Sequence, residues 1–294
     1  MIIQRAAVCE RGAIMPPNPI RKGSRVMELF DRQGLVQATG LTPRKLEFLL
    51  RLLKGPTLNR IYHQLEQKQG IDMIDEALHH LKIHLDYDPE ALDAAIPAEG
   101  PFVTVSNHPF GFLDGVILLL VVGRKRPEFR AVANFLLSYF APISDLFITV
   151  NPFEKSGPKG MGGMRKSLAQ LERGEGLALF PAGEVSTWYK GQSGIYDRPW
   201  SISSMRMIRK AQVPVIPIYF HGHNSRSFHM LGKVHPALRT LRIPAEFLKK
   251  QNSTIQMGIG ERLEWQELAQ LENDEAMRDL LRRRTYEQAI KFRR

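Results

Sequence analysis

The run Val105-Ser106-Asn107-His108-Pro109-Phe110-Gly111-Phe112-Leu113-Asp114-Gly115 sets an imidazole and a carboxylate on either side of a glycine. It follows Phe102 to Val105, which reads as a strand, and opens into the apolar stretch at Val116. A histidine at a strand end, followed by a carboxylate, suits general-base work. The carboxylate fixes the imidazole tautomer and stabilises the imidazolium that forms when a hydroxyl gives up its proton. The plainer reading is an aspartate that caps a helix and a histidine packed in a turn, and spacing alone leaves both open.

Two further segments carry groups of the same kind. Leu177 to Phe180 is a buried-strand pattern ending in Pro181-Ala182-Gly183-Glu184-Val185-Ser186, so another loop with a carboxylate and a hydroxyl leaves a strand end. Such ends are where α/β sheets bind ligands. Val213-Pro214-Val215-Ile216-Pro217-Ile218 is a strand punctuated by two prolines. Proline cannot donate to a ladder, which predicts an edge strand or one beside a bulge.

In this order the three segments resemble the glycerolipid acyltransferase family, which joins a fatty acyl thioester to a lipid hydroxyl. There a first block of Asn-His with a downstream Asp carries the base, a Phe-Pro-x-Gly block binds the acceptor, and a Val-Pro-x-x-Pro block borders the site. The likeness covers residues from about 98 to 262. NHPFGFLDG, FPAGEVS and the later HGHNS and HPALRT look like the bacterial subgroup often called hemolysin-like. The resemblance implies His108 as general base oriented by Asp114, with Asn107, Gly111, Pro181, Gly183, Glu184, Ser186 and Arg239 binding substrate. It implies no metal, no covalent acyl-enzyme and no cofactor beyond an acyl-ACP or acyl-CoA co-substrate. The oxyanion is expected to meet backbone N–H groups near Gly111 or Gly183.

The departures from the family pattern are informative. The usual first block has four residues between His and Asp, whereas five separate His108 from Asp114, so Gly111 has to absorb the extra one. The usual Glu-Gly-Thr-Arg of the third block is Ala182-Gly183-Glu184-Val185 here. Where the second block commonly has an Arg, this chain reads Thr149-Val150-Asn151-Pro152-Phe153. Losing two bidentate arginines argues against simple glycerol phosphate as acceptor. Either Lys155, Lys159, Lys190, Arg226 or Arg239 takes over, or the acceptor lacks a phosphomonoester, as an acylated amino acid does.

These loops need a sheet to hold them. Short apolar runs alternating with helical stretches after Pro101 predict an α/β fold, and the resemblance makes it a mixed, largely parallel sheet flanked by helices. Besides the strands already named, Phe147 to Val150 and the alternating Ile255, Met257 and Ile259 fit the sheet; Met161, Met164, Leu168 and Leu171 form one helical face. Residues 1–40 read as a loosely ordered basic arm, 41–97 as a helical layer, 98–264 as the acyltransferase core and 265–294 as a C-terminal helix. In the layer, Thr42 and Pro43 open a helix that Gly55-Pro56 ends. Its leucines beside Arg44, Lys45, Arg51 and Lys54 suit either a membrane interface or core packing.

Other features read more plainly. His221-Gly222-His223 lacks further ligands at metal spacing and reads as turn histidines. His79, His80 and His84 read as helix residues. The Gly157–Gly163 loop matches no phosphate-binding pattern. Trp188, Tyr189, Tyr196 and Trp200 crowd the stretch after FPAGEVS, where Asp197 also lies, as either an acyl wall or ordinary packing.

With 43% hydrophobic and 24% charged residues over 294 positions, the composition excludes wholesale disorder and a polytopic membrane protein. A single cysteine, Cys9, allows no internal disulfide. The longest oily run, Val116 to Val122, is far short of the ~20 residues of a membrane span. A formal charge of +11 favours acidic partners. The expected setting is therefore peripheral, at an anionic membrane on the cytoplasmic side of a bacterial inner membrane, with a lyso-lipid as acceptor. A hydrolase using the same His–Asp pair on water is the nearer rival. A nucleic-acid binder is the distant one, because no recognisable nucleic-acid motif accompanies the charge.

Overall fold

The computed structural model describes residues 32–65, 68–134, 137–138, 140–150, 162–189, 193–234, 239 and 241–289. Most of the expected arm, with Cys9, therefore lies outside the described residues, as do Lys155, Lys159, Lys190 and most of the Gly157–Gly163 loop. The last described part of the arm is not loose: Arg32–Thr39 is a helix, α1.

Thr42 caps α2 (Pro43–Leu52), its hydroxyl accepting the Lys45 N–H at 3.4 Å, with Pro43 in the first turn. Gly55-Pro56 does more than stop this helix, because it starts the next one, α3 (Gly55–Gln64). Lys54 turns into the left-handed region at φ 60°, and a Cβ on Gly55 would meet the Leu50 carbonyl oxygen at 2.8 Å. α4 follows over Gly70–His80.

Among the described residues seven strands make one sheet. In chain order they are β1 (His84–Asp86), β2 (Phe102–Ser106), β3 (Arg130–Asn134), β4 (Phe147–Val150), β5 (Gly176–Leu179), β8 (Val215–His221) and β9 (Thr254–Ile259); β6 (Thr187–Trp188) and β7 (Ile195–Tyr196) form a separate hairpin. The sheet order is β1-β9-β8-β2-β5-β3-β4, parallel throughout except between β8 and β9. This is the mixed, largely parallel sheet that the segment pattern implies. His84 lies in β1 and not in a helix, and β1 ties the end of the helical layer into the sheet.

Of the two expectations for the proline-marked strand, an edge or a bulge, the bulge holds. β8 is interior, flanked by β2 and β9. Val215 bridges Leu263 and Ile218 pairs with Ile259, so Ile216 and Pro217 face the three residues Gly260, Glu261 and Arg262. The extra residue is a bulge, and it falls where Pro217 has no N–H to give. Pro217 still accepts the Gly260 N–H at 2.9 Å, and a Cβ on Gly260 would meet the Pro217 ring at 2.9 Å.

Alternation along the strands divides the core between the two faces. Phe102, Ile216, Ile218 and Phe220 pack with α6 (Phe112–Gly123); Val103, Val105, Leu177, Leu179 and Val215 pack with Trp200, α8 (Ile202–Ala211) and the C-terminal helix. Every residue of α6 from Leu113 to Gly123 is buried, which explains why this oily run is apolar all round. Among the described residues no helix is long and apolar enough to cross a membrane. The remaining helices are α5 (Pro89–Ala95), α7 (Gly162–Glu172), α9 (Arg226–Val234), α10 (Ile243–Leu248), α11 (Trp265–Ala269) and α12 (Asp274–Glu287). The expected single C-terminal helix is thus two, restarted where the Asn273 side chain caps the Ala276 N–H at 2.8 Å.

Candidate active site

β2 delivers the Asn107-His108 turn to the carboxyl end of the parallel strands, beside the ends of β5 and β8. Asn107 does not face a ligand: its amide bonds the Phe220 carbonyl at 2.9 Å and the Phe220 N–H at 2.7 Å, clamping the turn to β8. The chain then reverses at Gly111, whose φ of 82° and ψ of −121° belong to glycine. A Cβ there would also stand 3.0 Å from the Val185 side chain. Gly111 absorbs the extra residue of the first block in this way, and Asp114 comes back under His108.

His108 Nδ1 lies 3.0 Å from Asp114 Oδ2, with the imidazole partly exposed and the carboxylate fully buried. The same oxygen accepts the Phe110 and Gly111 N–H groups, each at 3.0 Å. Asp114 is therefore both a helix cap and the partner of the histidine, so the two readings of the spacing hold together. Burial pushes its carboxyl above the ordinary carboxylate range, opposed by His108 and the two N–H groups. The ring of Phe180, from the third block, packs on the imidazole with centroids 4.2 Å apart. With Nδ1 turned to Asp114, Nε2 is the nitrogen available to a substrate proton.

A residue to which sequence reasoning assigned no role fixes this turn from below. Asp197, buried, accepts the His108 N–H at 3.1 Å, the Ser186 hydroxyl at 2.6 Å and the Trp200 indole N–H at 2.9 Å. Its own N–H reaches the Tyr286 hydroxyl at 3.1 Å, and Ser186 N–H donates to the His108 carbonyl at 2.9 Å. Ser186 is thereby committed to holding the first and third segments together. The aromatic crowding after FPAGEVS was the available signal, since a buried Asp among Trp and Tyr needs their polar ends.

The other expected binding residues sort by geometry. Pro181 is buried; Gly183 (φ 68°) donates its N–H to the Phe180 carbonyl at 2.9 Å. The N–H groups of Gly111 and Gly183 themselves are both spent within their loops, so an oxyanion donor near either glycine would be a neighbouring N–H. Glu184 gathers Arg239 at 3.0 Å, Arg198 at 3.1 Å and the Tyr189 hydroxyl at 3.2 Å. Burial and Glu184 push the Tyr189 hydroxyl up to about 12, which keeps its proton on. Two arginines thus stand beside the third block, both ion-paired to Glu184.

Beyond the Tyr286 side of this network an open cavity of about 840 Å³ is lined by residues that include Trp188, Tyr219, Arg226, His229, Arg283 and Tyr286, but not His108. His221 and His223 border it too. Among the described residues no group of three or more His, Cys, Asp or Glu side chains could hold a metal ion.

A family model described as acyltransferase matches residues 36–291. A lyso-glycine lipid O-acyltransferase of Bacteroides thetaiotaomicron is 26% identical over 227 residues, 74% of this chain and 80% of the relative. A lyso-glycine lipid O-acyltransferase of Phocaeicola vulgatus is 26% identical over 226 residues, 74% of this chain and 78% of its own. Among solved structures, the 1-acyl-sn-glycerophosphate (LPA) acyltransferase PlsC from Thermotoga maritima is similar with a TM-score of 0.50 and 16% identity, over 90% of each chain. That likeness speaks to fold alone.

Proposed function

The chain belongs to the acyltransferase family, and we propose that it moves a fatty acyl group from an acyl-ACP or acyl-CoA thioester to the hydroxyl of a lyso-lipid, with His108 as general base. The observation that carries this reading is the 3.0 Å approach of His108 Nδ1 to the fully buried Asp114. In the reaction the acceptor O–H gives its proton to His108 Nε2 as the oxygen attacks the thioester carbonyl. The tetrahedral intermediate collapses, the C–S bond breaks, and the proton returns from His108 to the departing thiolate. Asp114 holds the ring's tautomer and stabilises the imidazolium between those steps. No acyl-enzyme forms.

The acceptor is a lyso-aminolipid. Two relatives described as lyso-glycine lipid O-acyltransferases support this, as does the replacement of the third-block arginine by Val185. Incubating the purified protein with acyl thioester and a panel of hydroxyl acceptors tests both parts. An O-acylated aminolipid is the expected product. Preference for glycerol phosphate overturns the acceptor assignment, and free fatty acid alone means hydrolysis.

The protein meets its lipid at an anionic membrane surface through α2. Phe48 and Leu52 of that helix are 72% and 56% exposed, while Leu46 and Leu50 are buried, and Arg44, Lys45, Arg51 and Lys54 surround the exposed pair. Apolar insertion and attraction to headgroups then add. Sedimentation with anionic liposomes is expected to carry the protein down and Phe48→Ser with Leu52→Ser to release it; equal sedimentation of the variant contradicts the assignment. The setting we propose is peripheral, on the cytoplasmic face of a bacterial inner membrane.

A further inference from the structure

We infer that the cavity beside α12 is the seat of the acceptor's headgroup, and that it selects a monoanionic carboxylate. This rests on the acyl-transfer reading above and names the chemistry of its acceptor. The cavity's permanent cations are Arg226 and Arg283. Glu287, also in the wall, stands 3.7 Å from Arg283 and 3.8 Å from Arg284, which is outside the wall, so the wall residues themselves carry a single net positive charge. Arg226 has no carboxylate partner among the described residues. A planar guanidinium with its donors unspent matches a carboxylate bidentately.

The buried floor beneath these arginines adds no further charge. His229 is 1% exposed, and its Nε2 has no partner while Nδ1 lies 3.4 Å from the Thr187 hydroxyl. Burial, with His223 beside it, lowers its pKa to about 4, so this buried histidine is neutral and adds no third cation. Trp188 flanks the site, its ring 5.2 Å from that of His229.

The cavity is also connected to the base. The Tyr286 hydroxyl in its wall accepts the Asp197 N–H, and Asp197 accepts the His108 N–H. Burial pushes the Tyr286 hydroxyl up, so its proton stays on and the group can still donate. Gly222 closes the other side, where a Cβ would strike the Phe110 ring at 2.9 Å. The backbone that carries the base and the wall that holds the headgroup are therefore two hydrogen bonds apart.

Calorimetric titration of the full chain with N-octanoylglycine, its neutral methyl ester and inorganic phosphate tests the inference without any turnover. The acid is expected to bind, and Arg226→Gln to weaken it roughly ten- to a hundredfold. The methyl ester and inorganic phosphate are expected to bind weakly, and the ester equally in both proteins. Equal binding of acid and ester, tighter binding of phosphate, or loss in Arg198→Gln instead of Arg226→Gln overturns the inference. Arg226→Gln is matched to wild type by its melting temperature; should it unfold, Arg283→Gln carries the same expectation. Because binding is read apart from transfer, acid-selective binding without acylation leaves the cavity assignment standing and refutes the acyl-transfer reading.

Discussion

The loops that follow β2 and β5 leave parallel strands at the same end of one sheet, yet they spend their polar groups in opposite ways. After β2 every group is committed inward: Asn107 to Phe220, Phe110 and Gly111 to Asp114, the His108 backbone to Asp197. What remains is one imidazole. After β5, Glu184 is partly exposed and holds two arginines from distant segments, with Arg198 open to solvent. Bonds of the first kind, to a buried charged group, contribute roughly 1.5–3 kcal/mol each, whereas exposed ion pairs contribute about 0–1 kcal/mol. The proposed base, which must meet its substrate within hydrogen-bond distance, sits in the stiff loop, and the ion pairs of Glu184 sit in the adjustable one.

The sharpest way to break that contrast is Asp114→Asn. Its amide oxygen can keep both backbone bonds, but it no longer stabilises imidazolium, so turnover is expected to fall by roughly 10²–10⁴-fold. Stability is expected to move the other way. The folded state raises the Asp114 carboxyl above its ordinary value of 3.8, so the carboxylate's cost is absent below that pH and grows as pH rises towards the folded value. Thermal melts of the variant and wild type are therefore expected to coincide near pH 3 and to favour the variant at neutral pH. A variant less stable at neutral pH contradicts the burial argument.

Asp197→Asn probes the stiff loop from beneath. The amide can still accept from His108 and Ser186 but sets a donor against the Trp200 indole, at a cost of about 1–3 kcal/mol. About a tenfold fall in kcat with little change in KM is expected, because the base is displaced and the acceptor groups are not. A rise in KM alone would place Asp197 with the binding groups.

Glu184→Gln is the mildest of the three. Removing one carboxylate from between Arg198 and Arg239 is expected to change the acceptor KM by a few-fold and kcat by less, as steady-state kinetics with a fixed thioester would record. If kcat collapses instead, the loop after β5 is as rigid and as close to the chemistry as its neighbour.

The unequal commitment of the two loops also governs what was readable in the chain. β2, β4, β5, β8 and β9 were legible because buried strands are short apolar runs between breakers. Gly111 was legible too, since an added residue between His and Asp demands a conformation only glycine adopts. β1 and β3 were not: His84–Asp86 is three residues long, and Arg130–Asn134 mixes polar ends with alanine. That β8 sits at an edge or beside a bulge was legible from its prolines, but not which of the two, because the bulge that relieves Pro217 lies on its neighbour. Asp197 escaped for a similar reason, since its partners come from residues 108, 186, 200 and 286. Contacts of that range have no local pattern.

The central claim is that the His108 ring, set by Asp114, takes the acceptor's proton. Single-turnover acyl transfer by His108→Ala, with thioester and aminolipid acceptor both saturating and the melting temperature matched to wild type, tests it directly. The expected result is a rate lower by roughly 10²–10⁴-fold. A folded variant that transfers within a fewfold of the wild-type rate would show that the proton leaves by another route.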